Sequence, residues 1–306
     1  MRVVDLFAGA GGFSAGARLA GNQVVWAANH WADAVEWHRR NHPDAKHVCQ
    51  DLHQADWSLV PEHDILLASP CCQGHSKARG KASGNAQHDA SRSTAWAVVS
   101  ATEHHRPPVV IVENVPEFMS WKLYRPWELA MNALGYSVSP QIIDAADYGA
   151  PQHRVRLFLV MTQSENPIHL QMAKGQHISA RNFINFDGGK WSQIHKPGRS
   201  KATISRVEAG RQAFGERFIM PYYGSGSGLT GRSLDRPIGT ITTRDRWAVV
   251  DGERMRMLTR FECRDGMSFP KDYQLPDNHR LAVHLLGNAV CPEPVKKILQ
   301  AVEKAA

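Results

Sequence analysis

The sequence predicts a doubly wound α/β fold, a mostly parallel sheet covered by helices, joined to a smaller loop-rich domain. Three observations carry this. Short apolar runs alternate with amphipathic stretches through the first half of the chain. Glycines crowd the turn that follows the first apolar run. After about Gln163 the texture changes: Gly, Ser, Lys and Arg become frequent and apolar periodicity fades.

Taken in order, Val3–Phe7 reads as a strand, and its glycine-rich turn leads into a helix from Phe13 to Ala20. Gln23–Ala28 is a second strand, followed by a helix over Ala32–Asn41. Asp64–Ala68 is a short apolar strand, Ser93–His104 a helix, and Val109–Val112 a strand of β-branched residues. Trp127–Leu134 is helical and Arg156–Met161 is another strand. This βαβα rhythm is that of a parallel sheet. Helical patterns return near Met255–Glu262 and at Pro294–Ala305. The large domain is expected over 1–164, completed by about 270–306, with the smaller one over 165–269. The loop-rich character is strongest through about 255, in Asp187-Gly-Gly-Lys190 and Gly224-Ser-Gly-Ser-Gly228. Lys201-Ala-Thr-Ile-Ser205 and Ile238-Gly-Thr-Ile-Thr242 look alike, but two short matches do not establish a repeat.

The 306 residues suffice to bury a substantial core, and a 42% hydrophobic, 21% charged composition is ordinary for a globular chain. No apolar run reaches the roughly 18 residues of a membrane span, and the N-terminus lacks the apolar region of a secretory signal. An odd number of cysteines without a signal peptide predicts a cytoplasmic setting. Five cysteines (Cys49, Cys71, Cys72, Cys263 and Cys291) include no CxxC pair, so no metal is expected. A net charge of +7 favours a polyanionic partner such as nucleic acid.

Asp5-Leu-Phe-Ala-Gly-Ala-Gly-Gly12 puts glycines where a strand turns into a helix, which lets backbone approach a ligand closely. Ser14 stands where a dinucleotide fingerprint has its third glycine, so a small charged cofactor beside the helix N-terminus fits better than a pyrophosphate. A tight turn with no ligand is the alternative. Ligands of open α/β sheets sit beyond the carboxyl ends of the strands, which makes Asn29 and Asp51 candidates. Ser69-Pro-Cys-Cys-Gln-Gly-His-Ser76 follows a strand directly. A cysteine on such a loop can be tuned toward thiolate, and these residues alone leave Cys71 and Cys72 both open. Glu113, at the end of another strand, could donate a proton if burial raised its pKa, or could cap a helix together with Asn114. In Gln152-His-Arg-Val-Arg156, Arg154 could grip an anion or a carbonyl oxygen through its planar fork.

Together these segments resemble the cytosine-5 DNA methyltransferase family. DLFAGAGGFSAG resembles its cofactor loop, SPCCQGHS its P-C-Q loop, and ENVP its Glu-Asn-Val element. QHRVR matches its Q-x-R-x-R pattern, RMLTRFE its R-x-L-T-x-x-E segment, and GNAV its terminal G-N-x-V. They stand in family order and span nearly the whole chain, apart from the stretch that reads DNA sequence in this family. The resemblance implies a class I, Rossmann-like methyltransferase fold with a target-recognition domain. It implies transfer of a methyl group from S-adenosylmethionine to carbon 5 of a flipped-out cytosine, with S-adenosylhomocysteine as product. It makes Cys72, which directly precedes Gln73, the nucleophile. Glu113 would hold or protonate ring nitrogen 3, supported by Asn114; Arg154 would contact the base carbonyl, and Arg156 would support the site from nearby.

The resemblance further implies a cofactor site built from Asp5, Phe7, Ala8, Gly9, Gly11, Gly12, Phe13, Asn29, His30, Asp51, Leu52, Pro70, Asn288, Ala289 and Val290. Two departures stand out. His75 occupies a position usually Phe or Trp, and Asn29 stands where an acid usually pairs with the ribose hydroxyls, so weaker ribose binding or altered cofactor preference is expected. The loop from about Ser76 to Arg92, with Lys77, Arg79 and Lys81, is expected to close over duplex DNA. Arg199, Lys201, Arg206, Thr240, Thr242, Thr243, Arg244 and Arg246 are candidate DNA contacts of the smaller domain. A monomer is expected, with a cognate restriction endonuclease acting separately if one exists. An RNA cytosine-5 methyltransferase, or an inactive DNA-binding member, are the alternatives within this fold.

Overall fold

A computed structural model describes residues 1–71, 94–222 and 231–305. Val3, Val4 and Leu6 are fully buried, which places Arg2–Leu6 (β1) inside the sheet rather than at its edge. The chain continues through helix α1 (Gly12–Leu19), β2 (Gln23–Asn29), α2 (Ala32–Asn41), β3 (Lys46–Cys49) and β4 (Ile65–Ala68). Then follow α3 (Ala95–His105), β5 (Val109–Asn114), α4 (Tyr124–Ala133), β6 (Ser137–Asp144) and β7 (Val155–Thr162). These strands make one seven-stranded sheet in the order β3-β2-β1-β4-β5-β7-β6. It is parallel except at β7, which runs antiparallel to both β5 and β6. The four residues of β4 and all six of β5 are buried, as strands covered by helices on both faces must be.

Strand order reverses between β1 and β4: from β1 the chain winds outward to β2 and β3, then returns to β4 and moves the other way. At such a switch point the connections diverge and leave a crevice beyond the strand ends, which is where ligands bind.

A second sheet of four antiparallel strands lies in the smaller domain, in the order β8-β11-β10-β9. Its parts are β8 (Ser192–Gln193), helix α5 (Lys201–Phe214), β9 (Arg217–Pro221), β10 (Trp247–Asp251) and β11 (Arg254–Met257). Three helices complete the chain: α6 (Arg260–Gly266), α7 (His279–Asn288) and α8 (Pro292–Ala305). Helix α8 returns to α1 and shares one apolar cluster with it, including Phe13, Ala17, Val295, Ile298 and Val302. A Cβ on Gly16 would lie 2.5 Å from that of Val295, so this glycine sets how closely the two helices approach.

Four expectations change. Met255–Glu262 is not one helix: Arg254–Met257 pairs with β10, and α6 starts at Arg260, where Thr259 and Glu262 close a reciprocal capping box. The stretch read as loop-rich contains α5, capped by the Ser200 hydroxyl, and two five-residue strands. Helix α5 escaped the periodicity because it buries only Thr203, Val207 and Gly210. Strand β6 was missed because it is an edge strand carrying Pro140. Helix α7, which buries Ala282, Val283, Leu285, Leu286 and Gly287, is a further element that the sequence pattern did not predict.

The two sheets are tied by Gln152, which is fully buried. Its Nε2 donates to Gly266 O at 2.8 Å and its Oε1 accepts the Ile241 N–H at 3.0 Å. Backbone bonds between His153 N and Ile238 O, and between Ile238 N and Pro151 O, flank it. Gln152→Ala leaves a buried donor and a buried acceptor unpaired, and should cost about 1–3 kcal/mol in urea unfolding. Unchanged stability would mean that the tie contributes nothing.

Candidate active site

Beyond the ends of β1, β2, β4 and β5 lies a cavity of about 300 Å³. Its base is the glycine turn. Phe7, Gly9 and Gly11 take positive φ values of 58°, 53° and 82°, which fold the chain back before α1 begins. A Cβ on Gly12 would meet Val290 O at 2.0 Å, so the turn is sealed from below by the segment after α7. One wall is Asn29-His30-Trp31, where β2 gives way to α2. The Asn29 Oδ1 accepts the Trp31 N–H at 3.0 Å, so its acceptor oxygen serves that turn rather than facing a ligand freely. The Trp31 ring meets His284 of α7 edge-on at 5.2 Å.

The opposite wall carries the charged groups. Glu113, the fifth residue of β5, is buried, and burial raises its pKa above the ordinary carboxylate value even though Arg156, Arg154 and a Ser69 hydrogen bond pull it down. Arg156 Nε lies 3.1 Å from Glu113 Oε1. Arg154 is also buried, but its guanidinium donates to Ile241 O at 3.0 Å, Gly287 O at 3.0 Å and Ala289 O at 2.9 Å. Both arginines line the cavity, but they meet different partners. Arg156 stands at the acid, while Arg154 joins the small domain and α7 to β7. Asn114 donates to Pro70 O at 3.1 Å and accepts the Val115 N–H at 2.9 Å, which fixes the loop after β4 against the end of β5. The Cys71 N–H is held by the Thr94 hydroxyl at 3.0 Å.

Of the residues expected at the cofactor, Phe7, Gly9, Asn29, His30, Pro70 and Asn288 line the cavity, as do Glu113, Arg154 and Arg156. Asp5, Ala8, Gly11, Gly12, Phe13, Asp51, Leu52, Ala289 and Val290 do not. Phe13 packs edge-on against Phe158 in the core, Leu52 is buried beneath the sheet end, and Asp51 caps its own turn by accepting the His53 N–H at 3.0 Å. Cys72, Gln73, His75, Ser76, Lys77, Arg79, Lys81 and Arg92 lie outside the described residues. The expected site residues do not include Ala10, Trp31, Ser69, Cys71, Val115, His284, Leu285 and Gly287, which also line the cavity. His284 was findable, since it sits one helical turn before Asn288.

In the small domain, Lys201 and Arg244 are exposed. Arg199 is bound up with Ile194 O, Ser192 Oγ and Gln193 O, and Arg206 donates to Pro221 O at 3.1 Å. Arg246 reaches Tyr222 O at 3.4 Å. Thr242 bonds Arg244 O, and a Cβ on Gly287 would fall 2.3 Å from the Thr242–Thr243 peptide. Thr240 donates to His153 O at 2.8 Å and so belongs to the seam between the sheets.

The chain matches the family model for C-5 cytosine-specific DNA methylases over residues 1–187 and 179–304. It is similar to the type II methyltransferase M.HhaI of Haemophilus parahaemolyticus, 32% identical over 309 residues covering 95% of this chain and 90% of that one. It is also similar to M.MspI of Moraxella sp, at 27% identity covering 99% of this chain and 71% of that one. Its fold superposes on a DNA modification methyltransferase encoded within an E. coli prophage with a TM-score of 0.74 at 19% identity, over 100% of this chain and 99% of that one. A glycine turn, a buried acid with its arginine and the backbone at Pro70–Cys71 thus meet at the switch point of a methyltransferase fold, and the chain belongs to the C-5 cytosine-specific DNA methylase family.

Proposed function

We propose that the switch-point cavity holds S-adenosylmethionine beside a cytosine turned out of duplex DNA, with Cys72 as nucleophile and Glu113 as acid. The observation that carries this is the meeting of the glycine turn with buried Glu113 and its half-buried partner Arg156 in one cavity. The residues present suit the donor. The volume lies at the lower end of the roughly 300–1,000 Å³ usual for small-molecule sites. Phe7, Trp31 and Pro70 offer apolar surface, and the positive-φ backbone at Gly9 leaves room for close approach. When bound, the donor supplies a methyl group on a sulfonium centre.

The chemistry of the protein's own groups follows. Addition of the Cys72 thiolate to carbon 6 pushes electron density onto carbon 5 and ring nitrogen 3. A carboxyl whose pKa is raised by burial keeps its proton at pH values where an exposed one has lost it, so Glu113 can donate that proton to nitrogen 3. Arg156, at the same carboxyl, orients it and carries positive charge toward the base carbonyl. Asn114, by holding Pro70, sets the start of the cysteine loop. Once carbon 5 carries the methyl group, its proton passes to solvent, the carbon–sulfur bond breaks to release the Cys72 thiolate, and nitrogen 3 returns its proton to Glu113, so that the ring regains aromaticity. Turning the base out costs a few kcal/mol, which contacts along the DNA backbone must offset. Of the small-domain candidates that the sequence offers, Lys201 and Arg244 are the exposed ones, and such contacts are assigned to them.

Bisulfite sequencing of DNA from cells expressing the protein tests the reading. Protection of one cytosine within a recurring sequence is expected, and it would also identify the recognition site. Uniform conversion, with soluble protein present, would count against the reading.

A further inference from the structure

Behind the glycine turn, buried side chains from several elements form two directed hydrogen-bond chains, and none of them lines the cavity. The first starts at Tyr273, in the segment after α6. Its hydroxyl donates to Ala10 O at 2.5 Å, so its one hydrogen is committed and its oxygen accepts from His42 Nε2–H at 3.1 Å. A Cβ on Gly11 would lie 2.4 Å from that hydroxyl and 2.9 Å from His42 Nε2, so the two groups press directly on the turn.

The second chain runs from the sheet edge to the middle of the sheet. Asp5 Oδ2 accepts the Ser14 N–H at 3.1 Å and the Ser14 hydroxyl at 2.6 Å. The Ser14 oxygen must then accept from His38 Nε2–H, at 3.0 Å. His38 Nδ1 must in turn accept from His47 Nε2–H, at 2.7 Å. His47 is half-buried on the edge strand β3, so the chain links water to a carboxylate that is fully buried. Each link has one donor and one acceptor, and a proton entering at His47 is passed on without any group gaining a second charge.

We infer that these chains are a positioning device for the methyl-donor turn, in which Tyr273 and Ser14 hold the backbone from Ala10 to Ser14 and the ionisation of Asp5 sets how firmly it is held. The inference rests on the reading that the cavity takes S-adenosylmethionine. Burial supports it by lifting the Asp5 pKa to about 7, against the lowering effect of both Ser14 bonds. Burial also depresses His38, His42 (to about 3) and His47, so the imidazoles stay neutral as the single donor–acceptor direction requires. The other charged groups facing the cluster are Arg18, which acts on His42 and Tyr273, and Arg39, which acts on His47; both disfavour imidazolium. Ionised Asp5 accepts more strongly from Ser14 than the neutral acid does, so the turn tightens and donor affinity rises as pH passes upward through about 7.

Calorimetry with S-adenosylhomocysteine across a pH series tests this, together with hydrogen exchange of the peptide spanning the turn. Tyr273→Phe removes one oxygen and keeps the ring. It should weaken binding about five- to tenfold, the worth of one buried hydrogen bond, and speed exchange in the turn. Its kcat at saturating donor and its KM for DNA should stay within about twofold of wild type, a split that general destabilisation would not give. Ser14→Ala should move the pH midpoint of binding upward, because the carboxylate loses its strongest donor, and Asp5→Asn should flatten the profile. Wild-type affinity and wild-type exchange in Tyr273→Phe would overturn the inference, as would a pH profile unchanged in both other variants. If Ser14→Ala does not fold, the remaining two variants decide. If wild-type protein binds no S-adenosylhomocysteine, the functional reading fails, and exchange in Tyr273→Phe still decides whether the chains hold the turn.

Discussion

Serine at position 72 should abolish both turnover and covalent trapping on duplex DNA carrying 5-fluorocytosine, whereas Cys71→Ser should retain both. The expected loss is roughly 10³-fold or more, the scale on which removal of a catalytic nucleophile acts. The pair of variants is informative because Cys71 itself lines the cavity, half-exposed beside Pro70. Its backbone N–H is anchored to Thr94, which suits a residue that sets the loop's departure, with the reacting sulfur one position on. Fluorine at carbon 5 cannot leave as a proton does, so the adduct persists and peptide mapping identifies the sulfur. An adduct on Cys71, or full activity in Cys72→Ser, would overturn the assignment.

Glu113→Gln should lower kcat by about 10² to 10⁴-fold, the usual contribution of a positioned general acid, while leaving S-adenosylhomocysteine binding near wild type. The pH dependence gives a sharper test. The folded pKa of Glu113 is raised above 4.5, so the protonated form persists above the ordinary carboxylate range. A limb of kcat that needs the proton is therefore lost as pH rises through the folded value. The same sign holds for stability: what Glu113 contributes by burying a neutral acid is complete below the unfolded value and declines through the folded one. Arg156→Ala removes the larger of the two arginine effects that pull this pKa down, so the limb should move to higher pH as activity falls. Arg154→Ala should instead act mainly on stability, since it strips the donor from three buried carbonyls in α7 and the small domain. If Arg154→Ala and Arg156→Ala shift the limb alike, the division between them is wrong.

The two arginines mark where reading by residue type stops. Gln152, Arg154 and Arg156 lie two apart in the chain, on a segment that enters β7. Their spacing announces a common purpose but not which partner each will meet. Asn29 is similar: it sits at the end of β2 as expected, yet its oxygen is taken by the Trp31 N–H two residues on. Helix α5 was illegible because a helix lying on a small sheet buries a narrow stripe, too few apolar residues to stand out from its arginines and glycine.

The chain's own order of residues determined the parallel sheet, the glycine turn and the strand-end positions of Glu113 and the cysteine pair, because strand periodicity, glycine conformation and strand-end chemistry are local properties. The tertiary structure alone decided which groups face each other. Tyr273 reaches Ala10 from 263 positions away, and Gly287 and Ala289 reach Arg154 across more than 130. Burial, which sets the pKa values of Asp5 and Glu113, likewise exists only once distant segments have excluded water together.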